Sequence, residues 1–258
     1  QHGCCEIGDD FDTTKRTLVG FGKNPNVGAV LVVGLGCEGI QAKDIADEIK
    51  TTGKPVEYIV IQEEGGTAKT VSKGVEIAGK MAREISKQNK VEFDISEIIL
   101  GLECGGSDPT SGLASNPSIG VASDMLVSMG GSSILSETTE VIGAEHLLYP
   151  RFEDENEGKK FLEMVKRVEN RSIAAGHDLR EGQPTPGNKA GGLTTIEEKS
   201  LGCMHKAGHS PFKGTLEYAE ELPTNKKGLY FMDTPGQDID SITGMVAGGA
   251  QEHIAAGL

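Results

Sequence analysis

The sequence predicts an α/β fold built on a mainly parallel sheet, and three observations carry that expectation. Residues 29–33 (AVLVV) form a continuous apolar, β-branched run of the kind buried on both faces of a parallel sheet. Residues 67–87 place Val71, Val75, Ala78, Ala82 and Ile85 three or four apart, the period of one helical face. Glycine-rich turns follow apolar runs at 34–39 and 102–112, where an open parallel sheet sets its ligand loops.

Each element follows in alternation. After the strand at 29–33 comes a short helix over 42–50, a second strand over 56–62, the helix over 67–87 and a third strand over 95–102. Pro117 suits a helix start, with Asn116 as its cap; Ile119, Ala122, Leu126 and Met129 form the inward face, and Gly130 and Gly131 end it. A fourth strand over 132–136 leads to a helix over 154–175, with Phe161, Leu162, Val165 and Val168 inward. Residues 176–192 are rich in Gly and Pro and lack periodicity, so they read as a functional crossing between a lobe over 1–175 and a second lobe over 176–258. A fifth strand over 229–232 and a small-residue helix over 239–250 complete the pattern.

Composition narrows the function classes. With 39 acidic against 25 basic residues, the formal charge of −14 repels nucleic acid and anionic membranes, and no basic patch offsets it. No apolar run approaches the roughly 20 residues that span a bilayer, and no basic-then-apolar signal opens the chain, so a cytoplasmic location is expected. Five cysteines, an odd number in 258 residues, argue against a disulfide scaffold and for a reducing compartment.

Residues 34–39 (GLGCEG) match the dinucleotide fingerprint and sit between a strand and a helix. The acidic residue that should hold a ribose is misplaced: Glu57 opens the second strand, while Glu63 and Glu64 come late. Cys37 and Glu38 would also bring negative charge to the pyrophosphate, so a dinucleotide site is disfavoured, and these two side chains can instead face a metal or substrate.

The most informative stretch is 187–202 (GNKAGGLTTIEEKSLG), which mixes glycines, two lysines, two glutamates and hydroxyl or amide groups without a hydrophobic stripe. Glycine lets backbone approach a ligand, lysine neutralises a carboxylate, and hydroxyls and amides match sugar hydroxyls. Residues 102–117 (LECGGSDPTSGLASNP) form a second such segment after a strand.

Together with 232–236 (MDTPG), 143–147 (GAEHL) and 34–38 (GLGCE), these segments resemble the altronate and galactarate dehydratase family, whose relatives include sulfolactate sulfo-lyase. The resemblance covers nearly the whole chain. It implies elimination of water from a sugar acid to give a 2-keto-3-deoxy acid, with loss of sulfite from sulfolactate as the alternative and a non-catalytic sugar-acid-binding subunit as a third reading. It also implies a divalent ion, foremost Fe2+ with Mn2+ or Mg2+ as alternatives, for which His2, Cys37 and Cys104 are the candidate ligands. A small β-rich module, absent from the sequence, is expected as a further segment or subunit, and a homo-oligomer is compatible.

Such an elimination removes the weakly acidic proton beside a carboxylate and assists departure of a hydroxyl. Lys189 is the first candidate for holding the carboxylate or taking the proton, and Lys199 is the second cation or base. Asp108 and Glu137 are candidate acids. Ser107, Asn188, Thr194 and Thr195 are candidate hydroxyl-reading groups, and Gly105 and Gly106 would allow close backbone approach.

Overall fold

The computed structural model describes residues 5–256, and the chain divides into two compact units, 1–92 with 247–249 and 93–246 with 250–258. The division falls near residue 92 and not at the 175/176 boundary expected from the Gly- and Pro-rich crossing, because that crossing is itself folded within the second unit. Among the described residues no helix is long and apolar enough to cross a membrane.

The first unit contains α1 (Gly8–Lys23), β1 (Val30–Gly34), α2 (Ala42–Lys50), β2 (Val56–Val60) and α3 (Thr67–Ile85). Strands β1 and β2 pair in parallel, with Val30 opposite Val56. Val19, Ile40, Ile45, Ala46, Ile49 and Val56 form its core. The helical period of α3 is borne out, but its face is not buried: Val71 and Val75 are 58% and 68% exposed. Periodicity specifies a helix, whereas burial depends on what lies across from it.

The glycine turn after β1 is closed by its own acidic side chain. Glu38 accepts hydrogen bonds from the backbone N–H of Leu35 at 2.8 Å and of Gly36 at 2.6 Å. These bonds outweigh burial and hold its carboxyl below the ordinary range. An ionised carboxylate occupies the amides that a pyrophosphate would need, so the disfavoured dinucleotide reading has a physical obstacle.

The second unit runs β3 (Ile99–Cys104), α4 (Asn116–Ser128), β4 (Ser132–Leu135), α5 (Glu145–Leu148), α6 (Glu155–Ala174), α7 (Leu179–Gly182), α8 (Pro186–Ala190), α9 (Ile196–Cys203), β5 (Phe212–Leu216), β6 (Leu229–Met232), α10 (Asp238–Ala247) and β7 (Glu252–Ala256). Its five strands pair in the order β5-β6-β4-β3-β7, all parallel. Alternate residues face opposite sides of this sheet. Leu102, Leu135 and Phe231 pack with Ile119, Phe161 and Ile196 on one side. Ile134, Tyr230 and Met232 pack with Met245 on the other.

Several elements went unrecognised in the sequence, α7 and α8 within the expected crossing among them. Strands β5 (FKGTL) and β7 (EHIAA) carry a lysine, a glycine or leading charges, and helix α1 is densely charged, so their apolar signal is diluted. Residues 95–97 form a one-turn 3₁₀ helix, and the third strand begins at Ile99. Asn116 is no cap: it lies inside α4, after a π turn over Ser111–Ser115, and its amide donates to the Gly202 carbonyl at 3.0 Å.

Helix α4 holds the 204–210 segment by two contacts. A Cβ at Gly120 would lie 2.2 Å from the His205 carbonyl oxygen, so only glycine allows the turn to sit this close. The Asp124 carboxylate accepts from the backbone N–H of His209 at 2.8 Å and of Ser210 at 2.8 Å. Burial opposes the Asp124 charge, but the Ser210 hydroxyl and these amides outweigh it and hold its carboxyl below the ordinary range. A carboxyl lowered by folding stabilises fully above its unfolded pKa and loses that contribution as pH falls through the folded value. Asp124→Asn is therefore expected to cost about 1.5–3 kcal/mol at pH 7, with the gap to wild type narrowing in acid, as urea unfolding at several pH values would measure.

Candidate functional site

The all-parallel sheet of the second unit places its ligand loops by topology. The connection leaving β4 runs to the edge strand β5, while that leaving β6 crosses back to β7 at the other edge. The crevice beyond the carboxyl ends of β4 and β6 is therefore the switch point at which open α/β sheets bind ligands. Glu137 follows β4 there, in a left-handed backbone conformation with φ 68°. A glutamate at positive φ is strained and persists only where its surroundings over-determine it. Here the Glu137 N–H donates to Thr234 Oγ1 at 2.7 Å, and its Oε2 accepts from the Cys104 N–H at 2.6 Å.

Helix α9 and the 3₁₀ turn Met204–Ala207 supply the opposite wall. Lys199 and Cys203, four apart on α9, share one helical face. Lys206, 1% exposed, places Nζ 3.2 Å from Glu137 Oε2 and 2.9 Å from Glu140 Oε2. Lys199 Nζ lies 3.2 Å from Glu140 Oε1. Glu137 caps the 3₁₀ turn that ends at Glu140, and residues three apart in a 3₁₀ turn eclipse, which brings both carboxyls to the same lysine.

Two thiols complete the cluster. Cys104 Sγ lies 2.8 Å from Ser107 Oγ, which is 3.8 Å from Cys203 Sγ. The ligand atoms of Cys104, Glu140 and Cys203 all lie within 4.8 Å of one another. Asn188 of α8 donates to the Ser107 carbonyl at 2.9 Å, so the expected loop at 176–192 braces this wall.

The electrostatics separate these groups into charged and neutral. Burial opposes ionisation of Glu140, but Lys206 and then Lys199 outweigh it and hold the carboxyl at about 2. Burial, reinforced by the Glu140 charge, pushes Glu137 up to about 8. The hydrogen bond between the two thiols lowers Cys104 and raises Cys203, and Cys203 also hydrogen-bonds Glu140. Burial works against charge on both lysines, yet Glu140 keeps both amines raised. Glu103, one residue before Cys104, is pushed up to about 7 by burial and by Asp238.

A cleft of about 350 Å³ opens beside the cluster, within the size range of small-molecule sites. Ser107, Asp108, Asn116, Glu198, Lys199, Cys203 and His205 are among its lining residues.

The structure sorts the expected site residues. Cys104, Ser107, Glu137, Asn188 and Lys199 come together. Asp108 lines the cleft and accepts from Thr110 Oγ1 at 2.7 Å and the Ser111 N–H at 2.9 Å. Gly105 and Gly106 donate to the Ala256 carbonyl of β7 at 2.6 and 3.1 Å. Thr194 and Thr195 are spent on the start of α9: Glu198 Oε2 accepts from the Thr194 N–H and hydroxyl, and Thr195 Oγ1 accepts from the Glu198 N–H. Lys189, on α8 beside Asn188, is exposed. Cys37 is exposed and belongs to the first unit, and His2 lies outside the described residues.

Sequence reasoning missed Lys206, Glu140 and Cys203. A lysine bracketed by Met204 and Ala207, and a second glutamate three residues after Glu137, were the available signals.

Both Glu140 oxygens carry a lysine, so a divalent ion held by Cys104, Glu140 and Cys203 would have to displace those ion pairs and take the protons of the thiols.

Residues 95–255 match the family model described as D-galactarate/Altronate dehydratase, C-terminal, and residues 1–86 match that of D-galactarate dehydratase/Altronate hydrolase, second domain. Altronate dehydratase of Bacillus subtilis is 36% identical over 252 residues, covering 97% of this chain and 50% of that protein. The (2R)-sulfolactate sulfo-lyase subunit beta of Chromohalobacter salexigens is 38% identical over 98% of this chain and 64% of its own length. Galactarate dehydratase (L-threo-forming) of Escherichia coli is 37% identical over 91% of this chain and 46% of its own. The chain thus spans about half the length of the dehydratases it matches, and with its α/β architecture and both family domains in order it belongs to the D-galactarate/altronate dehydratase family.

Proposed function

We propose that this chain carries the sugar-acid site of a hydro-lyase, which removes water from a polyhydroxy carboxylic acid to give a 2-keto-3-deoxy acid. The observation that carries this reading is the meeting of Lys199, the Cys104–Ser107 pair and the buried Glu137 carboxyl beside one cleft at the carboxyl ends of parallel strands. Lys199 holds the substrate carboxylate, and its charge compensates the enediolate formed when the adjacent carbon loses its proton. Ser107 Oγ, on the cleft wall, takes that proton while passing its own to Cys104. Glu137, neutral near pH 7, is the acid assigned to the departing hydroxyl. Buried Lys206 fixes Glu137 and Glu140 in place.

A divalent ion, foremost Fe2+, stays part of the reading as an expectation to be met by metal analysis of the purified protein, and no step runs through it. Loss of sulfite from sulfolactate is the second reading, favoured by the likeness to a sulfo-lyase subunit.

The test is an anaerobic assay with ferrous ion and a panel of altronate, galactarate and sulfolactate. A 2-keto-3-deoxy acid is expected, pyruvate with sulfite would favour the second reading, and no product even after a β-rich partner is added would overturn both.

A further inference from the structure

The cleft beside Lys199 has an uneven distribution of charge. Of its described lining residues, one is a lysine, none is an arginine, and two are carboxylates, Asp108 and Glu198. Lys199 is itself shared with Glu140, so its single positive charge is already in part compensated.

Both carboxylates are held ionised by their own loops. The Thr110 hydroxyl and the Ser111 N–H keep Asp108 low, and the Thr194 hydroxyl and N–H keep Glu198 low. Neither has a lysine or arginine partner among the described salt bridges. A ligand that places one anionic end on Lys199 therefore meets negative charge elsewhere on the same wall. Neutral hydroxyls suit that part of the cleft, because carboxylates and the Asn116 amide accept or share their hydrogen bonds. A second anionic group does not, because like charges at close range disfavour each other.

We infer that this site selects a polyhydroxy acid with a single anionic group, an aldonate, and discriminates against dianions such as an aldarate or a sulfonated hydroxy acid. The inference rests on the sugar-acid reading above and sharpens it, with Asp108 and Glu198 as specificity-determining residues.

The test compares D-galactonate with galactarate, which share their chain stereochemistry and differ only in a terminal hydroxymethyl against a terminal carboxylate. Calorimetric binding to the purified protein at pH 8, with products assayed in the same samples, is expected to give at least a tenfold lower Kd for galactonate. Higher salt should narrow that ratio, since screening weakens exposed charges. Glu198→Gln and Asp108→Asn each keep the accepting oxygen of their loop while removing the charge. Each is expected to cut the ratio at least threefold by improving galactarate, with the melting temperature reporting intact folding. Equal or tighter binding of galactarate by the wild type, or a ratio unmoved in both folded variants, would overturn the inference and leave the sugar-acid site standing. Binding of neither compound at millimolar concentration would overturn the sugar-acid reading and this inference with it.

Discussion

Lys206→Met is expected to lower the unfolding free energy by about 3–5 kcal/mol, the cost of removing one partner from a buried ion pair. Lys206 is 1% exposed, and its ammonium lies 2.9 Å from Glu140 and 3.2 Å from Glu137. Removing it leaves the ionised Glu140 supported by Lys199 and the Cys203 thiol and takes from Glu137 Oε2 one of its two donors. The loss arises from the uncompensated carboxylate more than from the vacated volume, which methionine largely fills. Lys206→Met combined with Glu140→Gln should accordingly be less destabilised than the sum of the two single variants, with a coupling of about 0.5–3 kcal/mol. Urea unfolding of the four proteins measures both quantities. A loss below about 1 kcal/mol for the single variant, the range of an exposed pair, would show that Lys206 is not the buried keystone described here.

The second large effect concerns turnover. Lys199→Ala is expected to reduce kcat/KM by about 10²–10³, the usual consequence of removing one preorganised group that compensates developing charge. The fall should appear in kcat as well as KM, because the enediolate carries more charge than the bound acid. Lys189→Ala should lose far less, since Lys189 is exposed on α8 while Lys199 lines the cleft. Steady-state kinetics of the two variants on the same substrate decide the matter, and a greater loss in Lys189→Ala would reverse the assignment of the cation.

The two lysines illustrate how much of the site was legible. Both stand in the 187–202 segment, whose mixture of glycine, lysine and hydroxyl groups marked it as ligand-directed. Within that segment, the assignment to Lys189 followed from its glycine-rich neighbours. Lys199 lines the cleft because α9 begins at Ile196 and turns residues 199 and 203 onto the face that meets Glu140 and Cys104. Thr194 and Thr195 were marked for the same polar character, but an exposed helix start consumes hydroxyls as caps. Lys206 was overlooked because a lone lysine is usually solvated, and only long-range packing against Gly120 and the 137–140 turn takes it out of water.

The fold shows the same division. Strong local signals, such as the β-branched run of β1 and the helical period of α3 and α6, were read from the residues alone. Strands β5 and β7 were not, since FKGTL and EHIAA become strands by pairing with β6 and β3, and β propensity follows such context. The 176–192 segment read as a crossing between lobes, yet it folds into α7 and α8, and Asn188 braces Ser107 from it.

What the sequence determined by itself was the alternating α/β pattern, the acidic surface and the two segments that bear chemistry, because these depend on residue type and short spacing. Only the tertiary structure decided which side chains share a site. Glu137, Glu140, Cys104, Cys203, Lys199 and Lys206 come from three separate stretches, and their protonation states exist only once burial and mutual charge act on them together.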